Sequence, residues 1–457
     1  MMDKNPASAP RRRFRPHGMD PIKVRTQLRR LRRMPLVSPR LWVRRAMFWT
    51  GAVAVSLVAI AFAWASDQCA AWFAALVTWQ PWAVVAVAPA GFALSVLLTK
   101  VVFPNAQGSG IPQVIAALHM TDPARIGPLL SVRIAVGKIL LTLIGLLSGA
   151  SIGREGPTVQ IGATVMHALG EILRLPRADL RRALVLAGGA AGVSAAFNTP
   201  LGGVVFAIEE LSHSFEARTS GTVLTAVIIS GACTLLLVGN YTYFGTNIPV
   251  VEATAAWPGV VACGVLGGLL GGLFSRILIA ASAGFPGRAG RWITSHPVSF
   301  AALCGAVVAV TGLVSGGTTY STGYEQARYL ISGEGAAVAP SFFAFKIIAT
   351  LASYLSGMPG GIFSPSLAVG AGMGHALTSW LPGSTPETLV LLGMVGYFAG
   401  VVQAPITAAV IVMETTSRHE LIVPLLATSA LATVISKLVC RRALYGALAV
   451  KFMRGSG

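Results

Sequence analysis

Three short segments rich in glycine and proline interrupt long apolar runs of the sequence in the pattern of a helix start. In each segment, glycines precede a proline that would lie in the first turn of the helix. A first turn presents unpaired backbone N–H groups and a positive dipole end, and glycine lets a ligand approach the backbone closely. Three such segments therefore predict a binding site for a small anion, rather than three unrelated breaks in a helix bundle. The segments are 108–112 (Gly-Ser-Gly-Ile-Pro), 153–157 (Gly-Arg-Glu-Gly-Pro) and 360–365 (Gly-Gly-Ile-Phe-Ser-Pro).

One of these segments contains an ionisable pair, Arg154 and Glu155, within a long uncharged stretch. A carboxylate in such surroundings is costly and is a candidate functional group. Two hypotheses remain open. The two side chains could form a local ion pair, or Glu155 could occupy the anion site while it is ionised and leave that site when it is protonated. The second arrangement would couple proton occupancy to anion occupancy.

The sequence contains an internal repeat. Residues 147–169 match residues 355–377 at an offset of 208, with 10 of 23 positions identical. After a three-residue slip, the match continues at an offset of 205 through Pro200 and Pro405. In transporters, such repeats pack about a pseudo-two-fold axis, with the substrate site at their interface. The repeat predicts that segments 153–157 and 360–365 face each other across that axis.

Two adjacent glutamates end the apolar run at 183–208. Glu209 has a repeat counterpart in Glu414, so a shared structural role, such as packing or capping, is the simpler interpretation. Glu210 is opposite Thr415 in the other half and is the carboxylate that the repeat does not explain. We interpret Glu210 as a group with a function on one side only, such as proton entry. The alternative is a solvated helix end.

Composition defines the environment of these groups. Of the 457 residues, 54% are hydrophobic and 11% are charged, against about 25% charged in typical soluble domains. These values predict a polytopic membrane protein, and they exclude a soluble enzyme, a disordered chain and a small disulfide scaffold. The apolar stretches are near 47–65, 71–99, 134–148, 183–208, 222–239, 258–281, 297–314, 342–355, 388–413 and 421–439.

Both ends of the chain are basic. Residues 1–45 carry a net charge of +12 of the total +19, and basic residues also follow the last apolar stretch. Such a tail could bind nucleic acid or act as a transit peptide, but the positive-inside rule explains it as a cytoplasmic tail. We therefore predict cytoplasmic termini, an even number of crossings and no nucleic-acid partner.

The sequence gives no support for a metal site, a cofactor or an enzymatic centre. The five cysteines are scattered singly through mostly apolar stretches, and the seven histidines do not cluster with cysteine or carboxylate residues. A membrane enzyme using paired carboxylates would also need a nucleophile, a metal or a cofactor nearby. A membrane scaffold without transport activity would not need three anion-binding helix starts. Both classes are therefore disfavoured.

The three segments, with Ala-Phe-Asn-Thr-Pro at 196–200 and Leu-Tyr at 444–445, closely resemble the CLC family of chloride channels and proton/chloride antiporters. The resemblance covers roughly residues 47–450 and implies an all-α polytopic membrane protein. Its tilted and partial helices would form two inverted-topology repeats, and the protein would be a homodimer with a separate anion pathway in each subunit. We expect a basic cytoplasmic tail at 1–45, repeats at 46–240 and 241–450, and a short cytoplasmic tail at 451–457.

The resemblance also implies roles for individual residues. Chloride at a central site would be held by two side-chain hydroxyls and two backbone N–H groups, from Ser109, Tyr445, Ile362 and Phe363. The outer anion site would be shaped by Arg154, Glu155 and Gly156, with Glu155 as the gating and proton-accepting glutamate. Glu210 would be the internal proton glutamate. Ser109 favours chloride, because nitrate-preferring members carry proline there and the fluoride-specific branch departs from this motif.

Three positions depart from the family pattern. Gln113, Ile115 and His119 stand where many bacterial antiporters carry glutamates. If those glutamates organise the inner proton entrance, the resemblance implies a different route or rate of proton entry here. The sequence therefore predicts a secondary transporter that exchanges chloride for protons across the bacterial cytoplasmic membrane. The alternative is a passive, voltage- or pH-gated chloride channel on the same fold, and the presence of Glu210 favours the exchanger.

Overall fold

A computed structural model of the chain describes residues 39–174, 178–212, 217–239, 242–245, 256–333 and 338–454. The chain divides into two units, Met1–Met47 and Phe48–Gly457, and the candidate functional site belongs to the second unit. The first helix begins at Pro39, inside the range assigned to the basic tail. The rest of that tail, 1–38, and the last residues of the short C-terminal tail, 455–457, lie outside the described residues.

The regular structure of the described residues is helical, as the sequence predicts, with only isolated β-bridges in addition. The helices up to the middle of the chain are α1 (Pro39–Trp79), α2 (Val84–Val101), α3 (Ile111–His119), α4 (Pro123–Ile126), α5 (Val132–Leu147), α6 (Glu155–Ile172), α7 (Ala178–Phe197), α8 (Pro200–Phe206) and α9 (Ala217–Val238). A π-helical segment, Ala207–Ser212, follows α8.

The described residues of the second part of the chain are also mainly helical. Its helices are α10 (Trp257–Ser282), α11 (Gly287–Ser295), α12 (Pro297–Val314), α13 (Tyr324–Ile331), α14 (Phe342–Leu355), α15 (Phe363–Ala376), α16 (Pro386–Val402), α17 (Pro405–Thr416), α18 (Ile422–Val439) and α19 (Leu444–Met453). Short 3₁₀ segments lie at Pro81–Ala83 and His419–Leu421.

The fold contains both long and short apolar helices. Among the described residues, seven helices are long and apolar enough to cross a membrane. They lie at Arg45–Trp79, Pro81–Val101, Ala178–Phe197, Gly221–Val238, Trp257–Ser282, Pro297–Val314 and His419–Val439. Shorter apolar helices such as α14, α17 and α19 reach only part of that distance, so their ends can lie inside the protein, where irregular backbone is tolerated.

The two halves use the same close helix crossing. In the first half α6 packs against α7, and in the second half α15 packs against α16. A Cβ atom placed on Gly162 would lie 2.3 Å from the Gly188 carbonyl oxygen, and one placed on Gly370 would lie 2.4 Å from the Gly393 oxygen. These glycines are paired at the offsets that the sequence repeat predicts. The internal repeat is therefore also a structural repeat.

The first two apolar stretches end in different places from those predicted. The sequence predicts a break between 65 and 71, but α1 continues to Trp79 and the break lies at Gln80 and Pro81. Polar residues inside α1 have partners that the sequence does not reveal. The Ser66 hydroxyl donates to the Phe62 carbonyl at 2.7 Å, and Asp67 pairs with Arg154. The stretch 66–70 therefore remains helical.

Two other apolar stretches each form two helices instead of one. The predicted stretch 183–208 is broken at Asn198, and the predicted stretch 388–413 is broken at Gln403. Both residues adopt a left-handed backbone conformation, with φ of 55° and 60° respectively. The proline that follows two residues later, Pro200 or Pro405, begins the next helix. The two breaks are repeat counterparts.

Candidate functional site

The three glycine-rich segments meet through their backbones. Gly153 and Gly361 exchange two hydrogen bonds, each 2.7 Å from N to O. The Gly360 N–H donates to the Gly108 oxygen at 3.2 Å, and the Gly108 N–H donates to the Met358 oxygen at 3.3 Å. A reciprocal pair of equal bonds is what a two-fold axis between related segments produces. The prediction that segments 153–157 and 360–365 face each other is therefore confirmed.

Gly156 allows the closest approach within this cluster. A Cβ atom at this position would lie 2.4 Å from the Ser109 hydroxyl oxygen and 3.3 Å from the Gly361 Cα atom. Any larger residue would separate the segments, which is why glycine is required here. As the sequence predicts, a helix begins at each segment: α3 begins at Ile111, α6 at Glu155 and α15 at Phe363.

The Glu155 carboxylate lies at the beginning of the opposite helix. Its Oε1 atom accepts the Ser364 hydroxyl at 2.6 Å, and its Oε2 atom accepts the Ser364 backbone N–H at 3.4 Å. Glu155 is buried, with 1% of its surface exposed. The carboxylate therefore occupies the position at the N-terminus of α15 where the sequence predicts an anion.

Arg154 forms its ion pair with Asp67 and not with its neighbour Glu155. Its Nη1 atom lies 2.5 Å from Asp67 Oδ1 and donates to the Ala63 carbonyl at 2.8 Å. The ion pair of Arg154 in the described residues is therefore with α1, and the carboxylate of Glu155 is held by Ser364. Of the two hypotheses for Glu155, the geometry favours the carboxylate in an anion position.

Several buried hydroxyls have no hydrogen-bond partner among the described residues, and two of them belong to residues of the predicted anion site. These two residues are Ser109 and Tyr445, both of which are fully buried. The Tyr445 ring stacks on the Phe363 ring with centroids 6.1 Å apart, so the hydroxyl lies near the start of α15. An unpaired buried hydroxyl costs about 1–3 kcal/mol. A bound anion that accepts both hydroxyl hydrogens would remove that cost.

Glu210 lies in the π-helical segment after α8 and is 3% exposed. Its Oε1 atom has no partner in the described part of the chain. Its repeat counterpart Thr415 donates its hydroxyl to the Ile411 carbonyl at 2.7 Å. π-Helical turns occur often at functional sites. The buried carboxylate argues against a solvated helix end, and the contrast with Thr415 supports a function on one side only.

Glu209 and Glu414 cap each other's half of the molecule. The Glu209 carboxylate accepts the N–H groups of Ile406 and Thr407, at 3.2 and 2.6 Å. The Glu414 carboxylate accepts those of Leu201 and Gly202, at 3.0 and 2.7 Å. Each carboxylate therefore satisfies the first turn of the helix in the other half. The prediction of a shared structural role for Glu209 and Glu414 is confirmed.

Two cavities lie near the site, and they are lined by different residues. The larger, which we call the Arg154 cavity, has a volume of about 1040 Å³ and is lined among others by Asp67, Arg154 and Tyr243. The smaller, the Ser109 cavity, has a volume of about 280 Å³ and is lined among others by Ser109 and Lys451. Arg154 lines the first cavity and Gly156 touches Ser109 of the second. Glu155 therefore lies between them.

The three departures from the family pattern have different surroundings. The Gln113 amide nitrogen donates to the Gln107 carbonyl at 2.6 Å and to the Asn105 carbonyl at 3.3 Å. These carbonyls belong to the loop that carries Ser109. Ile115 is packed in the apolar core, and His119 is exposed, with its Nδ1 atom 2.8 Å from the Ile115 oxygen. Gln113 is therefore the departure that touches the site.

Sequence reasoning missed two buried lysines, each of which donates to a loop carbonyl just before a helix start. Lys138 Nζ donates to the Gly108 carbonyl at 2.9 Å, and Lys346 Nζ donates to the Ser321 carbonyl at 2.7 Å. Each carbonyl lies two residues before a glycine with positive φ at a helix start, Gly110 or Gly323. A signal was available, because the two lysines interrupt apolar helices at the repeat offset of 208.

The structure also describes the cysteines, the possible metal ligands and two site residues that the sequence did not reveal. Four of the five cysteines are buried and Cys233 is half-buried, which agrees with their interpretation as apolar residues. Within the described ranges, no three histidine, cysteine, aspartate or glutamate side chains come together in a way that could hold a metal ion. Ser364 and Asp67 were not identified from the sequence, because their partners lie on distant segments.

The fold and the site together define a class: a multi-pass helical membrane protein of two related halves, in which buried helix starts converge on a carboxylate and on unpaired hydroxyls. The chain belongs to the voltage gated chloride channel family, which its residues 90–437 match. This family is the one that the sequence motifs resemble.

Relatives and solved structures agree with this assignment. The chain is 30% identical over 388 residues to proteins named H(+)/Cl(-) exchange transporter ClcA from Citrobacter koseri and Salmonella typhimurium, and the match covers 79% of this chain and 78% of each relative. Its fold is similar to that of a slow cyanobacterial Cl−/H+ antiporter, with a TM-score of 0.76 and 23% identity over 90% of this chain and 99% of the other. A CLC-type fluoride/proton antiporter gives a TM-score of 0.75 and 20% identity, covering 88% and 96%.

Proposed function

We propose that this protein is a secondary active transporter that exchanges chloride for protons. The observation that carries the proposal is the Glu155 carboxylate, buried between two cavities and bound at the start of α15. A protonatable group in an anion position links the two substrates, because only its ionised form competes with chloride. The names of the ClcA relatives support the same conclusion.

Chloride would bind in the cluster of helix starts. When Glu155 takes up a proton, its side chain becomes neutral and loses the attraction of the positive end of α15. Chloride would then be held at the central site by the hydroxyls of Ser109 and Tyr445 and by the N–H groups of Ile362 and Phe363. Arg154, Glu155 and Gly156 would shape the outer site.

Protons would reach the other side of the membrane through Glu210. This carboxylate is buried and is not engaged in capping, unlike its neighbour Glu209. In this scheme Glu210 exchanges protons with the cytoplasm and Glu155 exchanges them with the opposite side. Neither step needs a metal or an organic cofactor, since the carboxylates themselves carry the proton.

The setting of the transporter is also proposed. We infer a homodimer in the bacterial cytoplasmic membrane, with an independent pathway in each subunit and both termini in the cytoplasm. The basic residues at both ends support that orientation. The repeats would occupy 46–240 and 241–450, between a basic tail at 1–45 and a short tail at 451–457. Ser109 supports chloride as the preferred anion.

Liposomes containing the purified protein test this proposal. A chloride gradient should drive proton movement against the proton gradient in the wild type. Glu155→Ala and Glu210→Ala should both abolish proton movement while chloride still flows, and fluoride in place of chloride should give much lower flux. Chloride flux without coupled protons in the wild type would identify a passive channel instead. The absence of any anion flux would refute the anion site itself.

A further inference from the structure

Ser364 makes both of the described hydrogen bonds to the Glu155 carboxylate, and the bond from its hydroxyl is the shorter one. Its hydroxyl lies 2.6 Å from Oε1, whereas its backbone N–H lies 3.4 Å from Oε2. Ser364 is the second residue of α15 and is 3% exposed. Its side chain therefore supplements the N–H groups of the helix start with a hydroxyl that points at the same position.

This hydroxyl is present on one side of the pseudo-two-fold axis only. At the repeat offset of 208, the counterpart of Ser364 is Gly156. A side chain at Gly156 would collide with the Ser109 hydroxyl, at 2.4 Å from its Cβ. The helix start of α15 thus carries a donor that the start of α6 has no room for, so the two related segments differ in the strength with which they can bind an anion.

The start of α15 also packs against the lining of the Arg154 cavity. Tyr243 and Arg154 both line that cavity. The Tyr243 ring packs on Phe197 with centroids 5.5 Å apart, and Phe197 packs on Phe363. The start of α15, which carries Ser364, is therefore connected to the lining of the Arg154 cavity through packed aromatic rings.

We propose that the Ser364 hydroxyl is a ligand of the outer anion site and donates to whichever anion occupies it, the Glu155 carboxylate or a chloride ion. The inference rests on the proposed function. When the carboxylate leaves, the buried hydroxyl loses its 2.6 Å acceptor, and an unpaired buried donor is costly. A chloride ion in the same position restores the bond. Ser364 thereby sets the chloride affinity of this site.

Chloride binding in the Glu155→Ala background isolates this role, because no carboxylate competes there. Hydrogen bonds to charged groups are strong enough that their loss changes affinity by about tenfold. We therefore expect Ser364→Ala to weaken chloride binding about tenfold in titration calorimetry on the purified Glu155→Ala protein. In the wild-type background the effect should be smaller, since the same substitution also weakens the competing carboxylate.

Two variants keep the test falsifiable. Ser364→Thr retains a hydroxyl and should keep the chloride affinity within about twofold of that of the Glu155→Ala parent. Ser366→Ala removes a hydroxyl from the same buried helix two residues later, about 200° around its axis, and should leave the affinity unchanged. An unchanged affinity in Ser364→Ala, or an equal loss in Ser366→Ala, would overturn the proposal.

The failure of this inference is distinguishable from the failure of the proposed function. If Glu155→Ala liposomes conduct chloride but Ser364→Ala leaves its affinity unaltered, the transport function stands and the role of Ser364 is refuted. If neither the wild type nor Glu155→Ala moves chloride, the proposed function itself is refuted, and the inference that rests on it fails as well.

Discussion

Single residues show how the site is held in position, and Gln113 is the clearest case. Its amide nitrogen donates to two carbonyls of the loop that carries Ser109, while Lys138 donates to the next carbonyl along that loop. An ionised glutamate has no hydrogen to donate. The amide can therefore donate to the loop that carries Ser109, whereas an ionised glutamate at this position could not.

We predict that Gln113→Glu weakens chloride binding while the protein still folds. The carboxylate would face the carbonyl oxygens of Asn105 and Gln107, and the loss of both bonds would cost about 1–3 kcal/mol. Titration calorimetry with chloride should show a weaker affinity, together with a lower melting temperature. Gln113→Met, which removes the donors without adding charge, should give a smaller loss. Equal affinities in Gln113→Glu and the wild type would contradict this role.

Asp67 neutralises Arg154 at the edge of the Arg154 cavity. Because 68% of the Asp67 side chain is exposed, the pair contributes only about 0–1 kcal/mol to stability. The negative charge of Asp67 has a larger effect on the electrostatic potential in the cavity, which an arriving anion experiences. Removing the carboxylate leaves the positive charge of Arg154 uncompensated, and this should attract chloride to the cavity.

We therefore predict that Asp67→Asn increases the initial rate of chloride uptake by liposomes about twofold at low ionic strength. The increase should shrink at high salt, where exposed charges are screened. Glu171→Gln is the matched control, since Glu171 is also an exposed acid but does not line the Arg154 cavity. A rate that falls, or a rise that does not depend on salt, would count against this interpretation.

At the scale of elements, the crossings of α6 with α7 and of α15 with α16 fix the directions of the helices that bear Glu155 and Ser364. At each crossing a glycine lies against a carbonyl oxygen of the neighbouring helix. Such crossings rely on small residues that let the backbones approach. The position of the carboxylate therefore depends on contacts about two helical turns away from it.

Substitution of these glycines tests the crossings. Gly162→Ala and Gly370→Ala should each lower the free energy of unfolding by about 1–3 kcal/mol, because the added methyl group overpacks the contact. Thermal denaturation in detergent would measure the loss in both halves. Gly446→Ala in α19 is the control, since its Cβ would meet no described atom within 4 Å; it should be neutral or slightly stabilising. A clear difference between the two halves would contradict the structural repeat.

For the whole molecule, the exchanged caps of Glu209 and Glu414 join the two halves. Each carboxylate accepts two backbone N–H groups from the opposite half. A helix start without such acceptors would leave donors unsatisfied away from water. The halves therefore depend on each other for their own helix ends, and neither half should be stable alone.

We predict equal costs for breaking either cap. Glu209→Gln and Glu414→Gln should each lower the free energy of unfolding by about 1–3 kcal/mol, because an amide has one acceptor oxygen where the carboxylate has two. Glu210→Gln provides the matched comparison and should cost less, since Glu210 Oε1 has no partner in the described residues. Thermal denaturation of the three variants measures these differences. A loss in Glu210→Gln as large as in the other two would be inconsistent with the assignment.

The parts of this molecule that depend on local chemistry could be predicted from the sequence. Glycine and proline mark the helix starts, and the repeat arithmetic identifies Glu209 with Glu414 and leaves Glu210 unexplained. The parts that depend on distant partners could not. Ser364 meets a carboxylate 209 positions away in the chain. Likewise Asp67, inside α1, has its partner Arg154 on another segment of the chain.

The reciprocal bonds between Gly153 and Gly361 have a consequence for the rate of transport. They tie together the two backbones on which Glu155 and Ser364 are carried, so in the proposed exchanger we expect the path to open by rotation of the Glu155 side chain, without separation of the helices. Side-chain rotations take picoseconds to nanoseconds, whereas collective helix motions take microseconds to milliseconds. A turnover in the millisecond range would then reflect the waiting time for a proton to arrive at Glu155, and it should shorten in proportion to proton concentration.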